Sequence, residues 1–199
     1  MGQISMKTHR TPGSNLNGNL HLLRQLRPDS IIARPSIIVG EASSGRIRSF
    51  DTIYRAFKFI AEGKISEVPA LPTATLNFVP IDHVVKGIIA LVGRPAANGK
   101  IVHLAARTAV PATRFLTLIG AMEGLHTPRI VAPEHIAMNR ETIAVRLARP
   151  YWGYFRRHPE FATDALARLA GIAAPEMDDA AVLRQIAFCL EAGFIRASK

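Results

Sequence analysis

The chain has 199 residues, of which 48% are hydrophobic and 20% are charged, so it can bury the core of one domain and is not wholly disordered. Its 13 prolines and 14 glycines exclude collagen-like and low-complexity classes. The single cysteine, Cys189, can form neither an internal disulfide nor a thiolate zinc cluster, so we expect a reducing, cytoplasmic compartment. The sequence has neither an apolar run long enough for a transmembrane helix nor a signal-peptide core at its start.

The formal net charge of +10 suits an anionic partner such as nucleic acid, a membrane surface or a phosphorylated small molecule. The dense basic window runs from Arg140 to His158. Nucleic-acid surfaces usually have a more continuous basic footprint, so this pattern favours a solvated basic face over a polyanionic partner. Binding of the phosphates of a cofactor or coenzyme stays open as a third interpretation.

The first part of the chain predicts a flexible leader at residues 1–15, followed by a short amphipathic helix that ends before Pro28. The leucines at helical spacing are Leu16, Leu20, Leu23 and Leu26. A β-branched apolar run at residues 30–40 predicts a strand covered on both faces. A helix at residues 49–62 comes next, with Gly63 as its C-cap.

The middle of the chain predicts a short strand at residues 65–68 and a proline-punctuated connection. Alternation over residues 75–80 predicts a half-buried strand, and Asp82 stands where the N-cap of the next helix belongs. That helix, at residues 83–92, is apolar enough to be largely buried.

The second half continues the alternation, with a strand at residues 100–105, a helix from residue 111 and a weak strand at residues 130–131. A helix at residues 134–147 and an irregular aromatic segment at 150–155 come next. Two short helices, at residues 163–170 and 179–192, end the chain. Strands alternating with helices indicate an α/β architecture.

Motifs for common chemistries are absent from the sequence. It contains no GxGxxG turn, no GxxxxGK[ST] phosphate loop, no HExxH helix and no GxSxG elbow, so we predict no metal site and no nucleophile elbow. His83, His103 and Cys189 lie on predicted core elements, which favours structural roles. Tyr54 and Lys58 formally read YxxxK, but this spacing is common on helices, and we interpret Lys58 as a solvated side chain.

Two segments carry a more specific signal. The first is Arg-Pro-Ser-Ile-Ile-Val-Gly at residues 34–40, and the second is Leu-Asn-Phe-Val-Pro-Ile-Asp-His-Val-Val at residues 76–85. Together they resemble the extended short-chain dehydrogenase/reductase family, in its fatty acyl-CoA and thioester reductase branch. The resemblance covers roughly residues 18–195 and weakens beyond Ala105. It implies that residues 16–199 are the C-terminal part of a doubly wound NAD(P)-binding Rossmann-type fold with a helical substrate-binding region.

The resemblance also implies roles for particular residues. In this family the strand that carries Arg-Pro-Ser ends beside the nicotinamide ring, which assigns cofactor contacts to Pro35, Ser36, Ile37 and Ile38. NADP is the implied cofactor, with NAD as the other choice. The second segment implies a hinge next to the substrate, which assigns substrate contacts to Asn77, Phe78 and Asp82. From the residues alone, a purely structural strand and a helix-capping Asp82 remain open.

The sequence departs from the family in one respect. The glycine-rich βαβ unit and the catalytic Ser and YxxxK precede the Arg-Pro-Ser strand in that family, and residues 7–10 here are Lys-Thr-His-Arg. No catalytic residue is therefore assigned, and we expect the chain to be inactive alone, as a fragment, a mis-started reading frame or a subunit that lost catalysis. The implied partners are an acyl-CoA or acyl-carrier substrate and a homo-oligomer or complementing reductase half. A non-catalytic acyl- or partner-binding module is the alternative.

Overall fold

A computed structural model describes residues 29–51, 53–133 and 142–198. The predicted leader and the predicted helix at residues 16–26 lie outside the described residues. So do residues 134–141 of the helix predicted at 134–147.

Short strands and helices alternate through the described chain. The strands are β1 (Ile32–Pro35), β2 (Ile37–Val39), β3 (Glu67–Pro69), β4 (Thr75–Leu76), β5 (Phe78–Pro80), β6 (Ile101–Leu104), β7 (Val110–Pro111) and β8 (Arg129–Val131). The α-helices are α1 (Ile53–Ala61), α2 (Ile81–Leu91), α3 (Ala112–Gly120), α4 (Ile143–Ala148), α5 (Asp164–Ala170) and α6 (Asp179–Glu191). Two 3-10 helices complete the order, at Pro95–Ala97 and Arg149–Arg156. None of the described helices has the length and hydropathy needed to cross a membrane.

The strand predicted at residues 30–40 changes its neighbour at Ser36. β1 pairs in parallel with β6, and β2 pairs in parallel with β5. At the change, the Ser36 N–H donates to Leu104 O at 3.1 Å and the Ile37 N–H donates to Asn77 O at 3.0 Å. Parallel pairs joined through helices confirm the predicted α/β fold class.

Helices cover both faces of these parallel strands. The main core gathers α1, α3 and α6 around one face, and its residues include Phe57, Phe78, Phe115, Ile119 and Ile186. A second cluster forms where α2 and α5 cover β1 and β6 on the other face, and it contains Val84, Leu91, Val102, Leu104 and Leu166. Neighbouring residues of β5 reach opposite faces, as the period of a strand requires, since Phe78 lies in the main core and Val79 in the second cluster.

The half-buried strand predicted at residues 75–80 is wrong in two respects. Asn77 divides it into β4, which pairs antiparallel with β7, and β5, which pairs parallel with β2. Residues 76–80 are all buried. The alternation predicts one solvated face, but here packed residues cover both.

The helix predicted at residues 83–92 begins earlier, so the N-cap prediction for Asp82 is wrong. The strand β5 runs directly into α2, Pro80 is the N-cap residue, and Asp82 lies in the first helical turn. Proline suits this junction because its fixed φ continues into a helix and it lacks the N–H that would go unpaired there. The helix is also less buried than predicted, because only Val84, Gly87 and Leu91 are fully buried.

Other boundaries differ modestly from the predictions. Helix α1 begins at Ile53 rather than residue 49, and Gly63 follows it with φ of 68°. The aromatic segment predicted as irregular is the second 3-10 helix, which buries Trp152 and Phe155. The last two predicted helices are confirmed as α5 and α6, each followed by a glycine with positive φ.

Candidate functional site

The candidate site begins at the carboxyl end of β2, in residues 40–46, which we call the β2 loop. The Glu41 N–H donates to Arg46 O at 2.9 Å, and the Gly45 N–H donates to Glu41 O at 2.8 Å. A Cβ atom on Gly40 would lie 2.0 Å from Gly45 O, so the turn closes this tightly because residue 40 is glycine. Ligands of open α/β sheets bind beyond the carboxyl ends of strands, which makes this edge the candidate site.

Helix α6 holds the β2 loop from the far end of the sequence. Arg184 Nε donates to Ala42 O at 3.1 Å, and Gln185 Nε2 donates to Glu41 O at 3.2 Å. A Cβ atom on Gly45 would lie 2.4 Å from Arg184 O, so the loop rests directly on the helix backbone. These contacts fix the position of the loop relative to the sheet.

Tyr54 supports the loop from below. The Gly40 N–H donates to Tyr54 Oη at 2.9 Å, and Tyr54 Oη lies 3.4 Å from Gln185 Oε1. Burial raises the pKa of the Tyr54 phenol, although the hydrogen bond from Gly40 opposes this shift. Tyr54 is therefore a neutral hydrogen-bonding group that holds the loop in place.

The interpretation of Lys58 as a solvated side chain is wrong. Lys58 Nζ lies 2.6 Å from Glu62 Oε1, contacts Phe194 O and lies over the Phe194 ring. It thereby ties α1 to the C-terminal segment. The structure gives the tyrosine and the lysine of the formal YxxxK separate structural partners.

The four residues assigned to the cofactor lie at the change of strand neighbours. Pro35 is exposed, whereas Ser36, Ile37 and Ile38 are partly buried. The N–H groups of Ser36 and Ile37 already donate to Leu104 and Asn77, so neither is available to a carboxamide. The Ser36 hydroxyl, by contrast, is buried with no hydrogen-bond partner among the described residues. A buried hydroxyl without a hydrogen-bond partner is consistent with a binding site in which a ligand supplies the missing partner.

The three residues assigned to the substrate occupy different environments. Asn77 is buried, and its side-chain amide both donates to Ala106 O at 3.0 Å and accepts from the Ala106 N–H at 2.9 Å. Phe78 is buried in edge-on contact with Phe115. Asp82 is exposed, and its Oδ1 accepts the Ala42 N–H at 3.0 Å. Only Asp82 of these three lies at an open surface.

An open groove runs beside the start of α2. One part, of about 370 Å³, is lined by Ala42, Pro80, Asp82, His83, Lys86, Gly171, Ile172, Ala173 and Pro175. A larger part, of about 670 Å³, continues along α2 past Val85 and Ile89. The buried Nε2 of His83 has no hydrogen-bond partner among the described residues. Burial lowers the pKa of His83, with Asp82 opposing and Lys86 adding to the shift, so the imidazole is neutral near pH 7.

The described residues offer neither a metal-binding cluster nor a reactive thiol. Within the three described ranges, no three His, Cys, Asp or Glu side chains gather as a metal site would require. Cys189 is buried, and burial raises its thiol pKa to about 12, so it is protonated and inert. The basic side chains Arg146, Arg156 and Arg157 point away from the core and are exposed, and Arg140 lies outside the described residues.

Sequence reasoning did not identify the residues that shape the loop. Gly40 and Gly45 marked a loop, but their partners Arg184 and Gln185 lie about 140 residues further along the chain. Gln185 could have been singled out from the sequence, because it is a polar residue on the apolar side of a predicted helix, and the structure shows that it is buried.

The sequence matches one family model. The model for NAD-binding proteins described as "male sterility protein" matches residues 21–88, about a third of the chain, including both segments of the predicted resemblance. No significant match was found among curated proteins.

Solved structures resemble the chain over most of its length. The terminal R domain from the myxalamid PKS-NRPS biosynthetic pathway is 17% identical with a TM-score of 0.65, covering 85% of this chain and 45% of that one. A thiolation-reductase di-domain from an archaeal non-ribosomal peptide synthetase is 17% identical with a TM-score of 0.56, covering 84% and 42%. The UDP-glucuronic acid 4-epimerase from Bacillus cereus, in complex with UDP-glucuronic acid and NAD, is 13% identical with a TM-score of 0.57, covering 88% and 50%.

These findings define the fold class as that of NAD-binding reductases and epimerases, and confirm the resemblance to extended short-chain dehydrogenases/reductases of the thioester reductase type. The expected nicotinamide dinucleotide cofactor is supported by the same resemblance. The chain spans half or less of the length of these structures, which fits a part of such a fold.

Proposed function

We propose that this chain is the substrate-side portion of an NADP(H)-dependent reductase of acyl thioesters, with NAD as the other cofactor choice. The observation that carries the proposal is the orphaned Ser36 hydroxyl at the change of strand neighbours, on the strand whose sequence resembles the reductase family. In such relatives a hydride passes from the nicotinamide to the thioester carbonyl. The chain would serve acyl-thioester and lipid metabolism in the cytoplasm.

The cofactor contacts proposed for this chain come from side chains and exposed surface rather than from the two N–H groups named above. Pro35 offers an exposed ring, and the Ser36 hydroxyl offers a hydrogen bond that the protein itself leaves unmade. Ile37 and Ile38 form the apolar backing of this wall. A nicotinamide carboxamide supplies both the donor and the acceptor that such a hydroxyl lacks.

The substrate is proposed to approach along the smaller part of the groove. Asp82 lines that groove directly, next to His83 and Lys86. Asn77 and Phe78 act from beneath, because they hold β5 in place without reaching an open surface. The acyl group is carried by coenzyme A or by a carrier protein, and Lys86 is a cation available to its phosphates.

The chain is proposed to need a partner for turnover. Its 199 residues contain neither a cofactor glycine motif nor a YxxxK placed before the Arg-Pro-Ser strand. A complementing reductase half would supply these groups, whereas a second copy of the chain has the same sequence and would not. Purified chain that reduces acyl-CoA with NADPH by itself would contradict this part of the proposal.

The test is a fluorescence titration of the purified chain with NADPH, with and without acyl-CoA, for the wild type and for Ser36→Ala. Removing an unpaired buried hydroxyl is expected to raise the free energy of unfolding by about 1 kcal/mol. It is also expected to weaken NADPH binding by about 2- to 10-fold, since one hydrogen bond is lost in the complex.

The control is Ser43→Ala, at an exposed position of the β2 loop, for which neither quantity should change. If Ser36→Ala leaves NADPH affinity unchanged, the cofactor role of Ser36 is refuted; a wild type that does not bind NADPH would show that this edge does not hold the cofactor without the complementing half.

A non-catalytic acyl-binding module is the second candidate. The observation that favours it is the larger part of the groove, whose lining is mostly apolar and includes Val85, Ile89 and Ile172. This candidate predicts acyl-CoA binding that does not depend on NADPH. Calorimetry with acyl-CoA, with and without NADPH, separates the two candidates.

A further inference from the structure

The side chain of Asn77 binds the backbone of the loop that follows β6. Asn77 lies between β4 and β5 and is 4% exposed. Its Nδ2 donates to Ala106 O at 3.0 Å, and its Oδ1 accepts the Ala106 N–H at 2.9 Å. Ala106 is buried, and its backbone N–H and C=O have no other hydrogen-bond partner among the described residues. We call these two hydrogen bonds the Asn77 clamp.

Both sides of the clamp are attached to the strand that carries the cofactor-assigned residues. Asn77 O accepts the Ile37 N–H at 3.0 Å. Leu104 O, two residues before Ala106, accepts the Ser36 N–H at 3.1 Å. The clamp therefore closes a ring of hydrogen bonds at the point where this strand changes its neighbour.

One wall of the smaller part of the groove follows directly from Asn77. The strand β5 begins at the next residue and runs without a loop into α2. The first turn of α2 contributes Asp82 and His83 to the lining of the groove. Because β5 is buried and paired with β2, the position of Asn77 fixes the place where α2 begins.

The opposite wall is held through the other side of the clamp. Its lining residues are Gly171, Ile172, Ala173 and Pro175. The Arg107 N–H donates to Pro175 O at 2.9 Å, which is the only hydrogen bond that residues 172–175 make within the part of the chain that the structure describes. Ile172 also packs against the second cluster. Since Arg107 follows Ala106, the clamp determines where this hydrogen bond is made.

We propose that Asn77 is a positioning residue, whose clamp fixes the spacing between the start of α2 and residues 171–175. The side chain is buried beneath the groove and touches no ligand. Without the clamp, α2 still follows β5, but residues 171–175 lose their attachment to it and the groove loses its defined width. The attachment of the two walls concerns the fold alone, whereas its effect on a substrate rests on the proposed function.

Hydrogen exchange of the full chain tests the inference without a ligand. Asn77→Leu has a side chain of similar size that cannot form the clamp. The amides of residues 106, 107 and 172–174 should exchange at least about tenfold faster than in the wild type, because buried backbone groups lose their partners. Acceleration that is spread evenly over the chain, or that is absent at residues 172–174, would overturn the inference.

The matched control is Ile119→Ala, a truncation in the main core that leaves the clamp intact. It lowers the free energy of unfolding through the cavity that it creates. Any acceleration of exchange in this variant should therefore be shared by the amides of the main core. Acceleration at residues 106, 107 and 172–174 as selective as that in Asn77→Leu would overturn the inference, since general loss of stability would then explain both.

Asn77→Asp provides a milder change that keeps the shape of the side chain. A protonated carboxyl can make both hydrogen bonds of the clamp, whereas a carboxylate cannot donate to Ala106 O. Exchange at residues 106, 107 and 172–174 should match the wild type at pH 5 and exceed it at least about fivefold at pH 9, with both proteins measured at the same pH. A ratio that does not change with pH would contradict the role of the clamp.

Calorimetry with octanoyl-CoA measures the consequence for the groove. Asn77→Leu should bind at least about tenfold more weakly than the wild type, because the ligand must order a released wall, whereas Ile119→Ala should stay within about twofold. Equal affinity of Asn77→Leu and the wild type would overturn the positioning role. A wild type that binds no octanoyl-CoA would contradict the proposed function alone, since the exchange measurements decide the inference by themselves.

Discussion

The two faces of the parallel strands differ in how completely they are covered. On the main-core face, α1, α3 and α6 surround a cluster of aromatic rings, in which Phe57 and Phe115 have their centroids 4.3 Å apart. On the other face, α2 and α5 cover a smaller cluster, and Ile31 and Ala33 pack against it while remaining partly buried. The comparison teaches that the two faces are covered unequally, since the larger cluster contains most of the buried aromatic rings, whereas α2 beside the smaller cluster leaves Val85, Ile89 and Val92 exposed.

The largest expected change in the free energy of unfolding concerns the main-core face. Phe115 is 1% exposed and contacts both Phe57 and Phe78, so Phe115→Ala should lower the free energy of unfolding by about 3–5 kcal/mol. Leu166→Ala in the smaller cluster should cost less, about 2–3 kcal/mol. Urea unfolding of both variants measures the difference. A larger loss at Leu166 would reverse the ranking of the two faces.

The second-largest change concerns the β2 loop, which contacts α6 on the main-core face. Gly45 has φ of 70°, and an added Cβ would lie 2.4 Å from Arg184 O. Gly45→Ala should therefore cost about 2–4 kcal/mol, from the left-handed backbone and the clash together.

Gly93→Ala is the matched control for Gly45→Ala, since Gly93 has φ of 72° with nothing near its missing Cβ. It should cost only about 1–2 kcal/mol, for the left-handed backbone alone. Thermal unfolding compares the two, and equal losses would show that the loop does not rest on α6.

The third effect tests the hydrogen bonds beneath the loop. Gln185→Leu keeps the size of the side chain but removes the donor to Glu41 O and the group beside Tyr54 Oη. The expected cost is about 1–3 kcal/mol, because buried polar groups lose a partner. Combining it with Tyr54→Phe should give a smaller loss than the sum of the two single changes. Strict additivity in denaturant unfolding would mean that the two side chains act independently.

The smallest effect depends on pH. Burial by itself raises the pKa of Glu62, but hydrogen bonds from Lys58, Lys64 and the Arg196 N–H outweigh it, and the pKa lies below its ordinary value. A carboxylate with a depressed folded-state pKa stabilises the fold above its unfolded pKa, and this contribution is lost as the pH falls through the folded value. Glu62→Gln should therefore be less stable than the wild type by about 1 kcal/mol at pH 7.

The difference between Glu62→Gln and the wild type should shrink as the pH falls below about 4.5, which unfolding curves from pH 7 to pH 3 measure. Glu191→Gln, at an exposed position of α6, should show no such dependence. If the stability difference between Glu62→Gln and the wild type does not vary with pH, the ion pairs of Glu62 do not stabilise this end of α1.

The sequence predicted the order and type of most elements because local patterns control them. The β-branched run before Gly40 is a strand, and glycines end α1, α5 and α6 with positive φ. Boundaries failed where one element runs into the next, as at Pro80, which passes from β5 into α2 without a capping side chain. The burial of all of residues 76–80 also could not be predicted. Alternation of apolar and polar residues indicates that one face of a strand is covered, but it does not show whether the other face is covered as well.

The sequence likewise predicted some features of the candidate site and not others. Its location at the end of the Arg-Pro-Ser strand could be predicted from the sequence. Short motifs are enough to identify the resemblance, and ligands of open α/β sheets bind beyond the carboxyl ends of the strands. The state of its groups could not. The N–H of Ile37 is used by Asn77, the Ser36 hydroxyl is orphaned, and Gln185 and Tyr54 hold the loop. These facts depend on which distant residues the fold brings together.

The sequence by itself determined the α/β class, the reductase-like strand and the amphipathic pattern of the chain, since these are written in neighbouring residues. Only the tertiary structure decided which of those patterns are satisfied. In the helix at residues 81–91, Val84 is buried and Ile89 is exposed, although both are β-branched apolar residues. That distinction arises from packing, because burial depends on what lies opposite a side chain rather than on the residue type alone.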